Sequence, residues 1–101
     1  MVVKLVVFKS GLILIGNVID VCIGIIAIKE PLAVFAQPDS NGKGNIIGFT
    51  PYLDYSEEFK TGIEFKEEDI LTINTPVNEM NSQYSKIFGS GIEIVSALRK
   101  V

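Results

Sequence analysis

The chain begins with VVKLVVF at residues 2–8, β-branched and aromatic apart from one Lys, which predicts a strand. Lys9-Ser10-Gly11 then reads as a short turn, with Gly11 free to adopt positive φ. Residues 12–21, LILIGNVIDV, resume as a long strand whose second half alternates only imperfectly. Gly16 inside it marks a bulge or sharp bend, where a strongly curved sheet needs a residue without Cβ. A second turn falls around Cys22 to Gly24, and residues 25–29, IIAIK, form a third strand. Glu30-Pro31 interrupts the pattern, and the chain from Leu32 to Gln37 continues extended.

Residues 37–45, QPDSNGKGN, are the clearest loop, with Asn41-Gly42 as a hairpin signal. Residues 46–53, IIGFTPYL, read as the returning strand, and Pro51 places it at an edge or a bulge. The polarity then changes: in residues 54–69, Asp54, Glu57, Glu58, Glu64, Glu67, Glu68 and Asp69 face only Lys60 and Lys66. This segment reads as a solvated acidic loop with a short extended piece at 63–66. Residues 70–73, ILTI, form the last strand. Thr75-Pro76 reads as an N-cap followed by Pro at the first helical position. Val77, Met80, Tyr84, Ile87 and Phe88 recur at helical spacing, so residues 76–88 read as an amphipathic helix ended by Gly89 at C′. Gly89-Ser90-Gly91 reads as a hinge, and the pattern of residues 92–101 fits more than one element type.

The sum is about five bent antiparallel strands with one helix near the C-terminus. A small curved sheet or partly open barrel suits them, because closure limits exposed edges. The 101 residues make one domain: barrel about 2–74, helix 76–88, tail 89–101. Hydrophobic residues are 48% of the chain and the mean hydropathy is +0.38. That is more apolar surface than one small core takes in, and it suggests a subunit interface. Residues 11–28 approach a membrane span in apolar content. However, Asn17 and Asp20 sit inside that stretch, and Gly11, Gly16 and Gly24 break it, so buried strands are expected. No A-x-A cleavage pattern follows it, and Val21 precedes Cys22 where a lipoprotein site needs a small residue. An intracellular protein without a membrane partner is the expectation.

Charge and chemistry narrow the function classes. Nine basic against 12 acidic residues give a net charge of −3, which opposes bulk attraction to nucleic acid or anionic lipid. The chain has no His, which removes the commonest general base, the commonest zinc ligand and every His-containing triad. Its one Cys, Cys22, makes no intramolecular disulfide and is expected in the core. No nucleophile elbow, P-loop, dinucleotide fingerprint or EF-hand loop is present. No enzyme, metal or cofactor is therefore expected. The nine aromatic rings are expected mainly in the core or an interface. Lys29 and Lys43 lie near loops and are the candidate nucleic-acid contacts, though basic and aromatic residues are not interleaved.

Val6-x-Phe8-Lys9-Ser10-Gly11, followed by Gly16, resembles the first half of the Sm1 motif of Sm-like (LSm) proteins. There an apolar strand ends in Leu-Lys-x-Gly, with a second Gly five positions later. Asp69 to Ile73 is similar to the last strand of the Sm2 half. The resemblance covers about a third of the chain. The whole pattern more closely resembles small Sm-like proteins of marine tailed phages of the cyanophage type. Ile28 to Pro31 (IKEP), Gly48 to Tyr52 (GFTPY) and Asn81 to Ile92 (NSQYSKIFGSGI) carry that narrower similarity. In the family, Asp and Asn in the loop after the second strand, and Arg-Gly in a later loop, grip uridine-rich RNA. Here those places fall on or near Cys22 and Ile26, and on Glu67-Glu68. The family's usual helix precedes the first strand, whereas here it follows the last.

The resemblance implies a strongly bent, five-stranded antiparallel Sm-like (SH3-like) barrel, with Gly11 and Gly16 as fold-defining glycines. It also implies a homo-oligomeric ring, pentamer to heptamer, made by edge-strand pairing. Residues 46–53 and 70–73 are the candidate edges, and Ile46, Ile47, Phe49, Ile70, Leu71 and Ile73 the candidate interface residues. RNA binding is the function the family implies. The other reading is a phage structural, scaffolding or protein-interaction module, with a basic protein partner at the acidic loop 54–69. In either reading the compartment expected is the cytoplasm, of the infected host cell if the chain is phage-encoded.

Overall fold

The computed structural model describes residues 2–42 and 44–88. In chain order the elements are β1 (Val2–Phe8), β2 (Ile13–Cys22), β3 (Ile25–Pro38), β4 (Asn45–Pro51), α1 (Glu58–Thr61), β5 (Ile63–Lys66), β6 (Ile70–Asn74) and α2 (Asn78–Phe88). A 3-10 turn, Glu67–Asp69, joins β5 to β6. The molecule is mainly β, about 55% strand, in one antiparallel sheet. The strand order is β4-β3-β2-β1-β6, with β5 also paired to β3.

The 14-residue β3 organises this sheet. Along one side it pairs with β2, from Cys22↔Ile25 to Leu14↔Ala33. Along the other it pairs first with β5 (Ile25↔Lys66 to Ile28↔Ile63) and then with β4 (Leu32↔Pro51 to Pro38↔Asn45). Between those halves the strand bends at Glu30, whose φ is +49°, and Pro31, which has no N–H to donate. Opposite the bend, Ile15 pairs with Leu32 and Asn17 with Lys29, so Gly16 alone faces Glu30 and Pro31 in a bulge. A Cβ on Gly16 would lie 2.5 Å from Ile28 Cγ2, 3.0 Å from the Lys29 carbonyl oxygen and 3.2 Å from Pro31 Cα. The chains cross too closely there for any residue but glycine.

The sheet is buried on both faces near this bend. Val6, Phe8, Leu14, Ile26 and Ile28 form one cluster, joined by Leu12, Val18, Ala33, Tyr52, Phe65 and Ile70. Ile15, Leu32 and Tyr84 form the other, joined by Val34, Phe49, Met80, Ile87 and Phe88. Neighbours Leu14 and Ile15 thus point to opposite cores, which is why LILI at 12–15 is a continuous apolar run rather than an alternation. Each such side chain contributes roughly 1.5–3 kcal/mol on burial. Helix α2 supplies the second cover. At 11 residues it would be marginal alone. Its packed face holds it on the sheet, and the Tyr84–Phe88 ring pair within the helix, 5.1 Å between centroids, supports the helix itself.

Six strands replace the five expected, and the sheet does not close into a barrel. The extra strand is the extended piece at 63–66, which pairs with β3 and so belongs to the sheet rather than to a loop. The acidic segment also holds the single turn α1, fixed by buried Phe59. Glu30-Pro31 bends β3 without ending it. Helix α2 begins at Asn78, two residues after the position expected, because Val77 offers the first helical carbonyl to Asn81 and lies exposed. Cys22 is exposed rather than in the core, since it sits at the end of β2 beyond both clusters. Gly89, the hinge and residues 92–101 lie outside the described residues. Among the described residues no helix is long and apolar enough to cross a membrane.

Candidate subunit interface

Three strands have a single partner: β4 pairs only with β3, β6 only with β1, and the short β5 only with β3; β4 and β6 form the two ends of the strand order. At the β6 end, Ile73 lies directly across from fully buried Val6 and so shares its face. Ile73 is nevertheless 42% exposed, because no strand flanks it on its outer side. The β1–β6 register slips between Val7↔Thr72 and Phe8↔Ile70, leaving Leu71 unpaired and 67% exposed at the bulge. Ile70 turns inward onto the first cluster.

At the other end, β2 pairing stops at Ala33, so residues 35–38 and 45–48 extend past β2 as a two-stranded arm. Ile46 and Ile47 are about half exposed and, being adjacent, face opposite sides of the arm. Phe49 turns toward the second cluster. Phe35 pairs with Gly48, and its ring covers the glycine: a Cβ on Gly48 would lie 2.6 Å from Phe35 Cε2. The ring thus spreads across β4 while remaining 42% exposed. Of the six interface residues named from sequence, Ile46, Ile47, Leu71 and Ile73 line the open ends, while Phe49 and Ile70 serve the cores. Phe35 was missed, although a signal existed. A hairpin centred on Asn41-Gly42 pairs position 35 with position 48, where the glycine leaves room for a ring.

The loops that the family resemblance singles out do meet. The Gly24 N–H donates to Glu67 Oε1 at 3.0 Å, and the Glu67 N–H donates to the Gly24 carbonyl at 2.9 Å. The Lys9 N–H donates to the Asp69 carbonyl at 2.8 Å. The place so assembled presents exposed Cys22, Ile23, Glu67 and Glu68, while Ile26 is buried in the first cluster. Apolar and acidic groups outnumber the exposed cations Lys9 and Lys66 there, where phosphate recognition would call for cations or amide donors. Lys29 is half-buried in β3 beside the bend, and Lys43 lies outside the described residues. Among the described residues no group of three or more Cys, Asp or Glu side chains is placed to hold a metal ion.

One polar network lies beneath α2. The Tyr84 hydroxyl donates to the Glu30 carbonyl (2.9 Å), with the Lys29 carbonyl at 3.3 Å, and accepts from Asn17 Nδ2 at 3.2 Å. Burial, and then the charge of Glu30, push the phenol well above the usual tyrosine range; the Asn17 amide opposes them. From sequence, Tyr84 is only one position on an apolar face, because its partners are backbone carbonyls 54 and 55 residues away. Compared with known proteins, the chain matches no family model and no curated protein sequence.

Proposed function

We propose that the protein is a non-enzymatic, Sm-like, ring-forming protein that acts as a structural or protein-interaction module. In this reading β4 of one copy adds to β6 of the next, so that the sheet continues from subunit to subunit. The observation that carries the reading is the pair of open strands at opposite ends of one sheet, each with exposed aliphatic side chains. Such edges are normally blunted by charge, proline or a cover. Here β4 carries Pro51 only at its end, and Ile46 and Ile47 at one end and Leu71 and Ile73 at the other are exposed. The ends differ, so the contact is head-to-tail and must close by rotation or grow into a filament.

The acidic and apolar character of the assembled loops favours a protein-interaction role over the RNA binding that the family implies. Native mass spectrometry of the full chain tests the assembly. A closed oligomer of one size supports it, and a monomer at micromolar concentration overturns it. The 260/280 nm absorbance ratio and titration with short U-rich and A-rich oligonucleotides at low salt separate the two roles. Affinity that falls steeply with salt would restore the RNA reading.

A further inference from the structure

We infer that the β2–β3 turn is a docking knob for a basic protein surface containing an apolar socket, independent of the sheet edges. Cys22 and Ile25 pair across a two-residue turn made of Ile23 and Gly24. Gly24, at φ +86°, supplies the conformation the turn needs. Ile23 supplies nothing to the fold: its side chain is wholly exposed, and a β-branched residue is poorly suited to a turn. Val21 and Cys22 beside it are exposed too. Three consecutive apolar residues therefore stand in water at a hairpin tip.

This tip is held rather than free. The two hydrogen bonds between Gly24 and Glu67 tie it to the 3-10 turn, so little ordering cost remains when it docks. Exposed Asp20, Glu67, Glu68 and Asp69 surround it on neighbouring elements, with Lys9 and Lys66 as the nearby cations. An apolar point within a net negative rim selects its partner. Phosphate on nucleic acid or anionic lipid is repelled, and a second copy docked tip to tip would oppose acid with acid. A cationic surface with a pocket for Ile23 satisfies both features.

The chain's single cysteine reports on this site, because Cys22 adjoins Ile23. The alkylation rate of Cys22 by iodoacetamide would be followed in the full chain against three synthetic peptides of equal length. One combines Lys with Leu, one Lys with Gly and Ser, and one Glu with Leu. The Lys/Leu peptide is expected to protect Cys22, with the other two at least about tenfold weaker. Ile23→Ser is expected to weaken that protection by about tenfold or more, the scale of losing one buried aliphatic side chain. Subunit count and thermal midpoint should stay unchanged in that variant. Equal protection by the Glu/Leu peptide, protection by a U-rich oligonucleotide, or full protection of Ile23→Ser would each overturn the proposal. None of these outcomes bears on the edge-pairing reading, which the subunit count of the unmodified protein decides.

Discussion

The Tyr84 hydroxyl donates to the carbonyl of Glu30 at 2.9 Å, so helix α2 is bolted to the point where β3 bends. Glu30 is one of two non-glycine residues with positive φ among those described, the other being Leu53. A backbone position of this kind is held by its surroundings. Here those surroundings are the phenol above, Gly16 opposite and Pro31 following. The bend lets one strand serve two faces of the sheet and carries its second half out into the β3–β4 arm. The helix and the arm that carries one candidate edge thus meet on the same strand.

Replacing the phenol by a phenyl ring tests the bolt. Tyr84→Phe keeps the packing against Ile15 and Leu32 but strips a partner from the Glu30 carbonyl and the Asn17 amide. Leaving such part-buried polar groups unmatched costs about 1 kcal/mol, toward the lower end of the range for full burial. Urea unfolding at fixed protein concentration should show a lower midpoint with an unchanged slope. A variant as stable as the parent would mean that the hydroxyl contributes nothing to the joint.

The same group sets a pH dependence. Burial and the Glu30 charge raise the phenol's folded-state pKa above the unfolded value near 10. The folded protein therefore holds this proton to a higher pH than the unfolded chain does. The stabilisation is complete below about pH 10 and is lost as pH climbs beyond it, because the unfolded state releases its proton first. Unfolding free energies measured on either side of about pH 10 should fall more steeply in the parent than in Tyr84→Phe. Parallel profiles would show that Tyr84 ionises alike in both states.

Gly11 and Gly16 stand together in the sequence motif, but the structure uses them differently. Gly11 needs its φ of +99°, and a methyl group there would meet no atom within 4 Å, so Gly11→Ala should cost about 1–2 kcal/mol of backbone strain. Gly16→Ala drives a methyl into Ile28, the Lys29 carbonyl and Pro31, an overpacking cost of about 3 kcal/mol or more. Thermal melts of the two variants should differ by several degrees, with Gly16→Ala the lower. Equal melting points would contradict the close crossing of β2 and β3.

That contrast marks how far the sequence could be read. The strands on either side of Gly16, the Asn41-Gly42 hairpin and the strand at 70–73 follow from local pattern, since β-branched runs bounded by turn residues have few other uses. The continuity of β3 through Glu30-Pro31 did not follow, because it depends on Gly16 and Tyr84, distant in the chain. Helix α1 carries one buried residue, Phe59, too little for any periodicity to register. Pro51 pointed to the edge position of β4 and the family resemblance to that of β6, but the inward turn of Phe49 and Ile70 was not legible. Which side of a strand faces the core is fixed by register across the whole sheet.

The edge-pairing reading makes a sharper demand on Ile73. A lysine there would place a charge on the inner face of an open edge, a device that blocks strand addition. Because Ile73 is already 42% exposed, the lysine can reach water in a lone subunit, and the fold should survive. Ile73→Lys should therefore give a monomer by native mass spectrometry with an unchanged circular dichroism spectrum. Val77→Lys, at an exposed position beyond the strand, should leave assembly intact. An oligomer persisting in Ile73→Lys would rule β6 out as an assembly edge.

Phe35 gives the most specific prediction at the opposite end. Its ring belongs to neither core cluster, covers Gly48 and is 42% exposed in the single chain. If β4 meets a neighbour's β6, that ring lies across the strand forming the contact, and aromatic side chains at such positions carry a large share of binding energy. Phe35→Ala should weaken association by about tenfold or more. It should barely alter the stability of the separated subunit, for which Ile73→Lys provides the monomeric background. Analytical ultracentrifugation across a dilution series reads the first effect, and urea unfolding of the double variant reads the second. Gly48→Ala should fall between parent and Phe35→Ala, because its methyl lifts the ring without removing it. The opposite outcome, unchanged association with a large loss of subunit stability, would make Phe35 a cover for β4 alone and would take this arm out of the interface.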